Sequence, residues 1–369
     1  MAQQSVPVTV LHSAVVLGPV AETWTAHQEL VRRSRMWQRV LREREDRYEQ
    51  APAVSVRRAL KSGLGGRPGA AAIVQRASGR ITYLSVRGSG RSQWTGIRSL
   101  ADLTCLGATA AAPDEPVDVS GLLRPWSGLL APGSASRLSP TGPYETRLLV
   151  CPLSGECESR GWGQSEADSA LSAVLGGLKM LAAESCPSGG LLRGKTVGAA
   201  GPSELHWLLD GALSLLARVS MVTRRQEVPP PLAWSDATRG FASPACDWQL
   251  VFRCVTQLPG SWCTAQLVHR KSGVQAPAEW GCCVEDAARR AVAAARTTGF
   301  GSTAEGPPEQ CVPSASCLLT ELDPASLMQL ASSVLQFLRP AGLRVLGTRV
   351  LADALLGRPQ IAWGPVWFG

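Results

Sequence analysis

Residues 161–171 read Gly161-Trp162-Gly163-Gln164-Ser165-Glu166-Ala167-Asp168-Ser169-Ala170-Leu171, a glycine-bearing turn that runs into a helical pattern reaching residue 184. The same order returns twice. Gly198-Ala199-Ala200-Gly201-Pro202-Ser203 opens a helical pattern that extends to residue 222, and a third helix is expected over Val284–Thr297, again after a glycine. Strand-like runs at 144–153, 249–255 and Cys263–His269 alternate with these helices, so the expected fold class is α/β of the α+β kind, with mixed sheets and long helices.

Outward from this region, two composition shifts divide the chain. Residues 107–116, rich in Ala and Pro, mark an expected domain boundary, giving a smaller N-terminal α/β domain at 1–116 and the main domain at 117–369; a second loop-like stretch covers 134–144. Before the boundary, residues 8–17 read as a strand. Residues 29–48 read as a helix with Leu30, Trp37, Val40, Leu41 and Tyr48 near helical spacing, followed by short strands at 71–74 and 81–86. Arg32, Arg33, Arg35, Arg39, Arg42, Arg44 and Arg47 crowd that helix, while Glu43, Glu45, Asp46 and Glu49 interleave with its second half. The reading is a solvated face, with an acidic partner as the alternative. No RNP, zinc-finger or helix-turn-helix signature is present, so no specific nucleic acid is expected as a partner.

The 369 residues are 45% hydrophobic, enough for sizeable cores, and carry a net charge of +8 from 37 basic against 29 acidic residues. Only Lys61, Lys179, Lys195 and Lys271 are lysines. An Arg, Ala, Gly and Pro bias of this kind reflects coding composition, although a basic balance permits an acidic partner. No run of about 18 apolar residues occurs and the first 20 residues lack a secretory pattern, so the expectation is a cytoplasmic protein with no membrane partner. The 11 cysteines are scattered; Cys151 and Cys157, Cys311 and Cys317, and adjacent Cys282 and Cys283 all lack metal-ligand spacing and read as thiols in a reducing compartment. The four histidines, His12, His27, His206 and His269, fall in no metal-binding or nucleophile-activating spacing, so no catalytic or metal-ligating residue is expected among them. Gly189-Gly190-Leu191-Leu192-Arg193-Gly194-Lys195-Thr196 matches the GxxxxGK(S/T) phosphate loop, but no strand precedes it and Gly198 delays the next helix, so it reads as a chance match.

A domain opening and three turn-and-helix segments, in order, carry a family resemblance. Arg124-Pro125-Trp126-Ser127-Gly128 looks like a domain opening; residues 161–171 are similar to a GKGxTxxxAxxSAL turn and helix, with Trp162 in place of its lysine; Gly198 to Ser203 are similar to a GxAAGxT turn whose helix reaches Arg218 where ExxERDA is found; and Glu285-Asp286-Ala287-Ala288-Arg289-Arg290-Ala291-Val292 is similar to an ALxRAL run that leads to ExxQ. Together they resemble the YcaO family over about two thirds of the chain. The resemblance implies three helices presenting carboxylates and amides three residues apart, which in active members hold Mg²⁺ and ATP. Carried across, those positions are Ala173 and Gly176, Ser214 and Ala217, and Ala294 and Thr297, with Arg218 alone retained.

The ATP site is therefore read as degenerate, with no cofactor expected. The implied role is a non-catalytic YcaO-like subunit in post-translational modification, by azoline, azole or thioamide formation, of a ribosomally synthesised peptide. Its partners would be an active YcaO-type cyclase or scaffold protein and the precursor peptide. One alternative is an active cyclodehydratase using ATP and Mg²⁺ through displaced acids such as Glu184, Glu204 or Asp210; another is an unrelated basic binding module. Residues 1–116 more faintly resemble the ubiquitin-activating-type scaffold that accompanies such cyclases, through Val15-Val16-Leu17-Gly18-Pro19-Val20 and Leu103-Thr104-Cys105-Leu106-Gly107, although lone Cys105 cannot form that scaffold's zinc site. At the end of the chain, Trp363, Trp367 and Phe368 could fill a partner's groove or fold onto the chain's own core.

Overall fold

The computed structural model describes residues 6–20, 24–42, 53–64, 68–76, 78–85, 93–105, 117–126, 128–137, 144–151, 157–184, 196–218, 247–254, 258, 262–276, 278–297, 315–351 and 361–369. The first sheet runs in order through β1 (Val8–Val10), β2 (Ala14–Leu17), β3 (Ala70–Gln75) and β4 (Ile81–Ser85). The stretch 8–17 is thus a hairpin and not one strand. Its turn holds His12 and Ser13, and the Leu11 amide donates to the Ala14 carbonyl at 2.8 Å. Successive residues of β2 point to opposite faces. Ala14 and Val16 meet Leu30, Met36 and Trp37 of α1 (Trp24–Arg42), whereas Val15 and Leu17 meet Ala59 and Leu64, which lie in and just after the π-helical turn Ala59–Gly63 that follows α2 (Ala53–Arg58). Helix α1 starts five residues before its expected position, and 43–48 lie outside the described residues. Glu29 neutralises Arg32 and Arg33 at 2.6 and 2.9 Å, so part of the arginine face is paired within the helix.

A second sheet has the order β5-β13-β14-β9, formed by β5 (Gln93–Ser99), β13 (Val345–Leu351), β14 (Ala362–Phe368) and β9 (Thr196–Gly201). Strand β5, followed by α3 (Leu100–Cys105), pairs with β13 through Ser99↔Leu346, so one sheet joins sequence from both sides of residue 116; residues 106–116 lie outside the described residues. The C-terminal stretch is an inner strand of this sheet. Trp363 is buried, Trp367 and Phe368 are half-buried, and Phe368 packs on the adjoining core, which decides for folding onto the chain itself. Thr196 starts β9 and pairs with Trp367, so a strand and not a helix follows Lys195; the remainder of the phosphate-loop match lies outside the described residues.

The third sheet joins β6 (Leu130–Arg137), β7 (Tyr144–Val150) and β8 (Cys157–Gly163), and the fourth joins β10 (Trp248–Cys254), β11 (Cys263–His269) and β12 (Glu279–Gly281). The fold is mixed α/β. Every ladder among the described residues is antiparallel, including that of β2 with β3, between which α1 and α2 lie in the chain.

Helix α4 (Glu166–Glu184) lies between the third and second sheets. Ala173, Val174, Leu175 and Leu178 pack with Leu130, Leu148 and Val150 on one side and with Ala200, Val350 and Trp363 on the other. A helix covered on two sides must be apolar around most of its circumference, and burying each such leucine contributes roughly 1.5–3 kcal/mol. On the far face of the second sheet, α5 (Glu204–Arg218) packs Leu208, Leu209 and Leu213 among Val197, Val345 and Val366. Helix α6 (Val284–Thr297) covers the fourth sheet with Ala287, Ala288 and Ala291 against Phe252 and Ala265. A short α7 (Ser316–Glu321) and α8 (Pro324–Leu338), the latter capped by Asp323, complete the main core.

The three expected turn-and-helix segments are one structural unit used three times. Strands β8, β9 and β12 end in Gly163, Gly201 and Gly281, and two residues later Ser165, Ser203 and Cys283 accept the first helical bonds of α4, α5 and α6 from Ser169, Trp207 and Ala287 at 3.1, 3.0 and 3.0 Å. The side chains cap reciprocally. The Ser165 hydroxyl accepts the Asp168 amide at 3.1 Å while the Asp168 carboxylate accepts the Ser165 amide at 3.2 Å, and Cys283 Sγ accepts the Asp286 amide at 3.4 Å while Asp286 accepts the Cys282 amide at 3.2 Å. In the second copy His206 stands where the others carry aspartate, its Nδ1 2.7 Å from the Ser203 hydroxyl. The glycines let the helix close on the strand: a Cβ on Gly201 would lie 2.5 Å from His206 Cβ, and one on Gly281 2.2 Å from the Ala287 nitrogen.

Candidate functional site

The three capped helices converge on buried charges. Lys179 sits on α4 between apolar neighbours, and its ammonium lies 2.9 Å from Oδ1 of Asp210, which is fully buried on α5. Asp210 also accepts the amides of Ala200 on β9 and Ala315 before α7, at 3.3 and 3.4 Å, and the Lys179 ammonium lies 3.5 Å from the Ser316 hydroxyl. One ion pair therefore ties α4, α5, β9 and the start of α7 together. A carboxylate with three such partners is compensated for its loss of water.

Beside this pair stands Glu279 of β12. Burial pushes its carboxyl up to about 8, outweighing the opposing pull of the Arg290 and Lys179 charges and of a hydrogen bond from Trp162. Arg290 of α6 is itself buried, donating from Nε to Asp286 at 3.0 Å and from Nη2 to Glu321. Its guanidinium carbon lies 5.8 Å from the Trp162 ring, and Trp162 packs on Ala293 and Ala294. Above this cluster, a pocket of about 250 Å³ opens between the start of α4, α6 and α7, with Trp162, Leu171 and Leu175 among its walls.

Among the described side chains, the carried-over positions do not gather round one cavity. Ala173 and Gly176 face the third sheet: the Ala173 carbonyl accepts the Ser159 hydroxyl at 2.6 Å, and a Cβ on Gly176 would stand 2.7 Å from that hydroxyl. The α4 residue that reaches α5 is Lys179, three beyond Gly176. Ser214 is fully buried one turn after Asp210, and its hydroxyl has no partner among the described residues. Ala217 packs into the core shared with α8, and Ala294 lies against Trp162, so the bulk that replaces the turn's lysine covers the small residue of α6. Arg218 and Thr297 end their helices, and their side chains lie outside the described residues.

The displaced acids have other duties. Glu204 lies between Arg98 and Arg349 at 3.8 and 3.6 Å, Asp210 is bound as above, and the Glu184 side chain lies outside the described residues. His206 caps its helix and burial holds its ring down at about 4; His27 bonds the Thr9 hydroxyl at 2.8 Å; His269 meets Ser272 at 2.8 Å. Among the described residues no group of three His, Cys, Asp or Glu side chains is placed to hold a metal, and no helix is long and apolar enough to cross a membrane. Among the described residues, the carboxylate at the helix interface holds an ammonium, and burial pushes the carboxyl of its neighbour Glu279 up to about 8, so neither stands as a free anionic ligand for a magnesium nucleotide.

Sequence reasoning missed Lys179, Glu279 and Arg290. A signal was present for the first, since a lone lysine inside an apolar helix of an arginine-rich chain calls for a buried acid. Nothing in the local sequence marks Glu279, flanked by Ala278 and Trp280, as neighbour to residues more than 60 positions away.

Among solved structures, the chain is similar to a heterocyclase in complex with substrate and cofactor, at 12% identity and a TM-score of 0.46, covering 99% of this chain and 72% of that one. It is also similar to YcaO from Methanopyrus kandleri bound with AMPPCP and Mg²⁺ (14% identity, TM-score 0.41, 68% of this chain and 87% of that one) and to the heterocyclase TruD (12%, 0.30, 99% and 69%). No family model matches the sequence, and no curated protein matches it.

Proposed function

We propose that this chain is a YcaO-like subunit that does not turn over ATP and that assists the modification of a ribosomally synthesised peptide in the cytoplasm by binding the peptide or an active cyclase. The observation that carries the reading is the Lys179–Asp210 pair, which sets an ammonium between two of the helices to which the sequence resemblance assigns acidic metal ligands, beyond Gly176 on one and a turn before Ser214 on the other. A resident cation of this kind neutralises the remaining acid from within and removes the need for a metal. Trp162 over Ala294 supports the same reading from the third helix, because a large ring has taken the space beside a small residue.

A subunit of this kind contributes by positioning its partners, which needs surfaces and a rigid frame but no ligand set. The three capped units provide that frame. The reading with displaced acids is weaker, since Glu204 and Asp210 are bound to Arg98, Arg349 and Lys179. A test combines the chain with an intact cyclase and its precursor peptide and follows ring formation by mass spectrometry as loss of water. The chain alone is expected to give no modification, and its addition is expected to raise the cyclase rate at limiting peptide by roughly tenfold, as an improved encounter would. Ring formation by the chain alone would overturn the proposal.

A further inference from the structure

We propose that the pocket between α4, α6 and α7 receives one uncharged apolar or aromatic side chain of the peptide partner, seated on the indole of Trp162. This assignment rests on the peptide-binding reading above. The floor is preorganised: the indole N–H hydrogen-bonds to the Glu279 carboxyl, Arg290 lies against the ring, and Ala293 and Ala294 pack on it. The ring is 7% exposed, and the part that it presents to the pocket is fixed with little ordering cost. Leu171, half-buried on α4, supplies the apolar wall, backed one helical turn on by the fully buried Leu175.

Charge and size select the ligand. The charged groups at the rim are already bonded within the protein, with Arg289 held by Asp286 at 2.7 Å, Glu321 by Arg290, and Asp168 by the Ser165 amide and hydroxyl at 3.2 and 2.7 Å. An anionic ligand therefore finds no open cation, while Asp168, bonded to neutral donors, keeps its charge. A cationic side chain meets the obstacle that Arg290 already occupies the electrostatic field of the Trp162 ring. The volume of about 250 Å³ falls below the ~300–1,000 Å³ of sites that enclose a drug-sized molecule, which suits a single side chain.

The test uses the full chain and saturation-transfer NMR with N-acetyl-phenylalaninamide and N-acetyl-lysinamide as probes, with no nucleotide present. The phenylalanine probe is expected to receive saturation and the lysine probe to receive at least fivefold less. Leu171→Trp, which fills the pocket, is expected to abolish the phenylalanine signal; should it fail to fold, Leu171→Asn, which keeps the volume and removes the apolar wall, is expected to weaken it at least threefold. Equal saturation of the two probes, or a phenylalanine signal untouched by a folded variant, overturns the assignment. Because no nucleotide enters the experiment, loss of the pocket assignment leaves the non-catalytic reading intact, whereas magnesium-dependent nucleotide binding would remove that reading by itself.

Discussion

Lys179→Met is expected to lower stability by about 3–5 kcal/mol, measured by urea denaturation at neutral pH, because it leaves a buried carboxylate without its cation. Asp210 is fully buried, and the two amides that it accepts are neutral donors that do not replace an ammonium at 2.9 Å. The loss therefore comes chiefly from stranding a charge and only in part from the pair's own worth. That distinction has a test of its own: adding Asp210→Asn to Lys179→Met removes the charge and keeps a side-chain carbonyl for one of the two amides, which bond different oxygens of Asp210, so the double variant is expected to regain about 1–2 kcal/mol over Lys179→Met alone. A single variant within about 1 kcal/mol of wild type would mean that Asp210 is not held as a buried anion.

Glu279→Gln is expected to change how stability depends on pH. The folded carboxyl is pushed up to about 8 from 4.5, mainly by burial, so between these values the folded chain keeps a proton that the unfolded chain releases. Stability from this group is fully present below 4.5 and is lost as pH rises through 8, with a slope of up to about 1.4 kcal/mol per unit. Glutamine has no proton to lose. The variant is thus expected to gain on wild type by on the order of 3–5 kcal/mol between about pH 5 and pH 8.5, read from urea midpoints at both ends. His206, held at about 4 by burial, acts in the opposite sense, losing stability as pH falls from 6.5 towards 4, and it cancels in the difference between the two proteins. A pH-independent difference would place the Glu279 carboxyl in contact with water.

The elements whose period and punctuation are local were legible in the sequence. Strand Cys263–His269 and helix Val284–Thr297 fall where alternation and helical spacing place them, and each of the three glycine turns opens its helix within a residue of the expected start. The hairpin at 8–17 was hidden because Val10 and Ala14 flank a short turn with no glycine or proline to announce it. The site was less legible for a reason of geometry. Spacing says which residues of a helix share a face, but not which neighbour that face meets. Ala173 and Gly176 do share a face of α4, and that face meets Ser159 of the third sheet, whereas the contact with α5 belongs to Lys179 and a partner 31 positions on. Asp210 entered the sequence reading only as a displaced ligand, since its nearest cation could not be seen from its own helix.

The most direct test of the account is calorimetric titration of ATP with Mg²⁺ into the folded chain, without peptide. The account predicts no saturable heat, because an ammonium from Lys179 occupies the carboxylate at the interface of α4 and α5 and Trp162 covers Ala294. Saturable binding that vanishes without Mg²⁺ would contradict it and would direct attention to acids outside the Lys179–Asp210 pair as the metal's ligands.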